Sequence, residues 1–114
     1  MEQTKSENQI PEKDFLLSIK PDGSSENSYL ENGRVIRRVI YDAEGVKRTE
    51  ILGKDIDNNE VSQFIIYNAA GHVERFEDIK SLYKAHHTEF NHILGVKSFF
   101  DELERRGEFN KPGH

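Results

Sequence analysis

Two short segments, Tyr41-Asp42-Ala43-Glu44-Gly45-Val46 and Tyr67-Asn68-Ala69-Ala70-Gly71-His72-Val73, decide where this chain can reverse direction. In each, an Asp or Asn is followed by two helix-tolerant residues and then a glycine, which suits a type I turn closed by a left-handed residue, the bulged hairpin loop. The Asp42 and Asn68 side chains can accept from backbone N–H groups two residues on, and Gly45 and Gly71 can take positive φ with no Cβ to clash. Asp57-Asn58-Asn59 offers a weaker turn between them. These reversals delimit four strands, approximately 34–42, 46–54, 60–68 and 72–77, filled with Val, Ile, Tyr and Phe as strand propensity requires. A four-stranded antiparallel β-meander is therefore expected, with the first hairpin bringing Arg37 or Arg38 across from Glu50 as an opposite-charge pair.

The strands are apolar on both faces. Val35, Val39 and Tyr41 alternate with Ile36 and Ile40, and Val61, Ile65 and Tyr67 alternate with Phe64 and Ile66. A sheet with one wet face alternates apolar with polar residues, so something should cover each face of this one. Part of the cover follows in the chain. Glu77 or Asp78 can cap a helix whose apolar positions Ile79, Leu82, Tyr83, His86, Phe90 and Ile93 recur at helical spacing. Gly95 interrupts it, and Val96, Phe99, Phe100 and Leu103 continue a second stripe that ends at Gly107, behind Arg105 and Arg106. The fold class is α+β, a meander followed by one or two C-terminal helices.

Composition sets the boundaries. Residues 1–13 are polar and bury too little apolar area to offset the entropy of ordering, so a disordered arm is expected there. Residues 14–32 form a partly ordered segment. Within it Asp14-Phe15-Leu16-Leu17-Ser18-Ile19-Lys20 is an apolar run stopped by Pro21-Asp22-Gly23, which reads as an extra edge strand or as a segment that adds to another protein's sheet. Residues 33–107 make a single α+β domain, and 108–114 a flexible tail. A core of this size leaves little surplus stability, which favours a protein partner or self-association as a homodimer.

Net charge is −5, and seven acids (Glu2, Glu7, Glu12, Asp14, Asp22, Glu26, Glu31) against three lysines (Lys5, Lys13, Lys20) place −4 of it before residue 33. The remainder is nearly neutral, unlike a strongly basic nucleic-acid binder or a folded acidic DNA mimic. Cysteine is absent, which removes disulfide scaffolds and thiolate metal sites. No run approaches the ~20 apolar residues that span a bilayer. A cytoplasmic location, or one within a phage particle, is expected, with no membrane partner.

Tyr29-Leu-Glu-Asn-Gly33-Arg-Val35, together with the Tyr41 and Tyr67 segments, resembles the tyrosine-glycine hairpin repeats of the YD-repeat and MORN-like families over about residues 29–77. The resemblance implies strings of β-hairpins used for structure, shells or protein contacts rather than catalysis.

Candidate chemistry is sparse. His86, His87 and His92 lie close in sequence, and Glu89 precedes His92 at the Glu-x-x-His spacing of di-iron bundles. Those histidines do not share a helical face, so a metal-dependent enzyme ranks third among the readings and no metal ligand or cofactor is assigned. Ser62, Ser81 and Ser98 lack a glycine elbow, and Asp55 with Asp57 sits in an Asn-rich turn. Arg34, Arg37, Arg38, Lys47 and Arg48 on the first hairpin could track phosphates, giving a nucleic-acid-binding sheet as the runner-up. The preferred expectation is a non-catalytic protein-interaction or assembly component, of the kind found among antitoxins, immunity proteins, phage inhibitors and virion accessory proteins. Its contact residues are expected among Phe15, Leu16, Leu17 and Ile19 of the apolar run and Val35, Val39, Tyr41, Ile65 and Tyr67 of the second sheet face.

Overall fold

The computed structural model describes residues 13–107, with backbone alone for residues 13 and 89–91. It is α+β, with six antiparallel strands in simple chain order: β1 (Lys13–Ile19), β2 (Ser25–Glu31), β3 (Arg34–Tyr41), β4 (Lys47–Asp55), β5 (Glu60–Tyr67) and β6 (Val73–Phe76). Helix α1 (Ile79–His86), a 3-10 segment over His87–His92 and helix α2 (Lys97–Arg105) follow. The N-terminal arm and C-terminal tail expected from the sequence lie outside the described residues, except for Lys13, which opens β1. No helix among the described residues is long and apolar enough to cross a membrane.

The turns expected at Gly45 and Gly71 are formed. Gly45 donates to the Asp42 carbonyl and Gly71 to that of Asn68, while the Asp42 side chain accepts from the backbone N–H of Glu44 and Val46 and the Asn68 side chain from those of Ala70 and His72. Both glycines sit at φ near +84° and +91°. Among the described residues the sheet nonetheless has six strands, against the expected four with a possible extra edge strand. The apolar run before Pro21 is β1, an edge strand paired with β2, and β2 itself is the strand the sequence concealed. Ser25, Glu26, Asn27 and Ser28 are poor strand formers, yet β3 on one side and β1 on the other supply ladder partners that override propensity. The β2–β3 turn is the two-residue Asn32-Gly33, both at positive φ, as a primed hairpin turn needs.

The helices close one face. Ile40, Ile51, Phe64 and Ile66 from the sheet pack with Ile56, Leu82, Val96 and Phe99, and the rings of Phe64 and Phe99 meet edge to face at 5.3 Å. Val35 joins this core, although simple alternation along β3 puts it on the same side as Val39. The register explains why: Tyr29 faces Arg37 and Leu30 faces Val35, so Ile36 is an extra residue in a bulge, and the parity of the strand reverses across it. Asp78 caps α1 by accepting from the Ser81 N–H at 2.8 Å. Phe90, counted among the apolar helix positions in the sequence, lies in a 3-10 segment and not in α1. Gly95, at φ +82°, lets the chain turn from that segment towards α2 while its backbone rests on Ile40; a Cβ there would stand 2.6 Å from Ile40 Cδ1.

Candidate interaction surface

Among the described residues the second sheet face carries no helix, and its central apolar side chains are already buried. Val39 and Ile65 are 1% and 5% exposed. Long amphipathic side chains do the covering here, laying their stems over the sheet and holding polar ends outward. The Arg37 guanidinium stands 5.0 Å from the Tyr29 ring centre and the Lys47 ammonium 4.6 Å from that of Tyr67. Glu50, 7% exposed, knits them together: Arg37 Nε donates to one carboxylate oxygen at 2.6 Å, the Tyr67 hydroxyl to the other at 2.9 Å, and Lys47 Nζ lies 3.7 Å away. Burial pushes the Glu50 carboxyl up, but the hydrogen bonds from Arg37 and Tyr67 and the nearby cations outweigh it and hold the group below its usual range. The residue directly across from Glu50 is Val39, so the ion pair with Arg37 runs diagonally and not straight across the strands.

The expected contact residues therefore separate. Val35 lies under the helices, Val39 and Ile65 are closed off within the chain, and Tyr41 and Tyr67 are half-buried in the polar layer. Phe15, Leu16, Leu17 and Ile19 of β1 are different, at 51, 57, 57 and 71% exposed. β1 extends past the helices and packs on β2, where Phe15 rests its ring 5.1 Å from that of Tyr29. Its other edge meets no strand among the described residues. The opposite edge of the sheet is formed by β6, which is only four residues long and carries Glu74 and Arg75, the short and charged form by which proteins usually blunt an edge. β1 has seven residues and apolar chains on both faces.

The backbone orientation of β1 follows from its turn. Lys20 N–H donates to the Ser24 carbonyl at 2.8 Å. Antiparallel ladders alternate, so Ser18, Leu16 and Asp14 also turn their N–H and C=O groups towards β2, and Phe15, Leu17 and Ile19 direct theirs away from the sheet. Sequence reasoning isolated this segment but missed Tyr29 as its support. The Asn32-Gly33 dipeptide was the available signal, since a two-residue hairpin there places residues 25–31 beside β3 and β1 beyond them.

The basic residues of the first hairpin are each matched by an acid. Arg34 lies 3.8 Å from Asp55, Arg38 2.8 Å from Asp57, Arg48 3.3 Å from Asp42, and Arg37 and Lys47 share Glu50. Arg37 and Arg38, adjacent in a strand, point to opposite faces. Among the histidines, His86 Nε2 meets Glu74 Oε1 at 2.5 Å, and His87 lies beside the Tyr83 ring. A concavity of about 370 Å³ between the sheet and the 3-10 segment is lined by Thr49, Tyr67, His72, Glu74, His86 and His92 among others. No group of three or more His, Asp or Glu among the described residues is placed to hold a metal ion. No protein-family model matches the chain, and comparison with curated proteins and with solved structures finds no match to either.

Proposed function

We propose that this chain is a non-catalytic protein-interaction component that binds by strand addition at the free edge of β1. One observation carries the reading. A seven-residue edge strand presents backbone groups at Phe15, Leu17 and Ile19 that no described strand pairs, together with four exposed apolar side chains, and it lacks the shortness or central charge that normally protects such an edge. In strand addition the main chain supplies affinity and alternate side chains supply selectivity, both of which β1 offers. The buried Val39 and Ile65 give the centre of the second sheet face no comparable apolar area, and the ion-paired hairpin lacks the uncompensated charge that phosphate binding uses.

Leu17→Pro tests the reading. Its N–H points away from β2, so proline removes a donor that the folded chain does not use while blocking an incoming strand. Affinity capture from the native host with the wild-type chain and with Leu17→Pro should recover proteins, or further copies of the chain, that the variant loses. Equal recovery by both would contradict binding at this edge.

A further inference from the structure

Building on the β1 edge reading, we propose that the occupant of this edge is the β1 strand of a second copy, paired antiparallel about a two-fold axis through Leu17, so that two six-stranded sheets become one. The backbone restricts the register first. Within β1, Lys13, Phe15, Leu17 and Ile19 direct their N–H and C=O groups outward, so an incoming β1 must meet them with residues of the same parity, and the register can change only in steps of two residues.

Among these registers the one centred on Leu17 matches the side chains. It sets Leu17 against Leu17 of the second copy, Phe15 against Ile19 and Ile19 against Phe15. These side chains share a face with Tyr29, which already contacts Phe15, so the apolar stripe runs unbroken across the junction. On the other face Leu16 stands against Ser18, and Asp14 against Lys20, twice by symmetry. The register centred on Leu16 would instead put Ile19 against Lys13, and the register centred on Ser18 would put Phe15 against Pro21 and Leu16 against Lys20. Neither pairs Asp14 with a cation. Lys20 Nζ lies 3.8 Å from Glu26 in its own chain; with three donors on an ammonium it can meet Asp14 of the second copy as well. An isologous junction of this kind closes on itself and leaves the charged β6 strands as the outer edges of the joined sheet.

The chain has no cysteine, so single substitutions report the register cleanly. Two residues facing each other in a hydrogen-bonded antiparallel pair lie about 5.5 Å apart at Cα, within disulfide range. Sedimentation of the full chain over a concentration series should show a monomer–dimer equilibrium. Under mild oxidation Leu17→Cys should form a covalent dimer several-fold faster than Leu16→Cys. Leu17→Pro should weaken the dimer by about tenfold or more. Asp14→Lys, at an exposed position, should weaken it with the fold intact, as checked by circular dichroism. A strict monomer across the series, with no crosslink through Leu17→Cys, overturns self-pairing while leaving the edge reading to the host capture experiment. A dimer that survives both Leu17→Pro and Asp14→Lys, or that crosslinks faster through Leu16→Cys, places the junction elsewhere and overturns the proposal.

Discussion

The Arg37 guanidinium and the Glu50 carboxylate, 2.6 Å apart on the sheet face that no described helix covers, hold together a layer of side chains lying over the sheet. Glu50 stands directly across from Val39, and the Arg37 and Tyr67 side chains converge on it from the two neighbouring strands. The polar layer is thereby fixed over apolar residues that would otherwise face water.

Replacing Glu50 by Gln removes the charge from this network with little change of shape. A hydrogen bond to a charged group contributes roughly 1.5–3 kcal/mol, and the half-exposed Arg37 end brings the expected loss to about 1–2 kcal/mol at neutral pH. Because the folded carboxyl titrates below its unfolded value, the advantage of the wild type is fully present above roughly pH 4.3 and is lost as pH falls through the lowered folded value. Urea unfolding of both proteins from pH 7 to pH 3 should show the two stabilities converging towards the acid end.

Gly95 and Gly45 share a positive φ but not their surroundings. A Cβ at Gly45 would meet nothing within 4 Å, whereas one at Gly95 would collide with Ile40 in the core. Gly45→Ala should cost about 1 kcal/mol from backbone strain alone. Gly95→Ala should cost at least about 1 kcal/mol more, since the packed Ile40 must move. Thermal unfolding of the two variants checks the order.

Thr49 is fully buried, and its hydroxyl has no hydrogen-bond partner among the described residues. Leaving a buried polar group unsatisfied costs about 1–3 kcal/mol, so Thr49→Val, which keeps the shape, should be neutral or stabilising. A fall in unfolding free energy for this variant would show that the hydroxyl is satisfied in solution.

What could be read from the sequence was what is decided locally. The turns at Asp42–Gly45 and Asn68–Gly71 and the Asp78 cap each depend on a few adjacent residues whose own chemistry forms the motif, and all three are found. β2 was hidden because Ser25 to Ser28 become a strand only through neighbours that are distant in sequence. The bulge at Ile36 is likewise a matter of register between strands, and no pattern within β3 announces it; this is why Val35 was assigned to the wrong face. For the candidate surface, the Phe15–Ile19 run stood out by composition. Its exposure did not, because that depends on how far the helices on one face and the Arg37–Glu50 layer on the other extend towards β1.

The central claim, that β1 is an edge strand with one bonded and one free side, is tested most directly by residue-resolved amide hydrogen exchange on the Leu17→Pro variant, whose free side cannot accept a second strand. The amides of Leu16 and Ser18, bonded to β2, should exchange slowly, and those of Phe15 and Ile19 rapidly. Uniform protection or uniform exposure from residue 14 to residue 19 would contradict it.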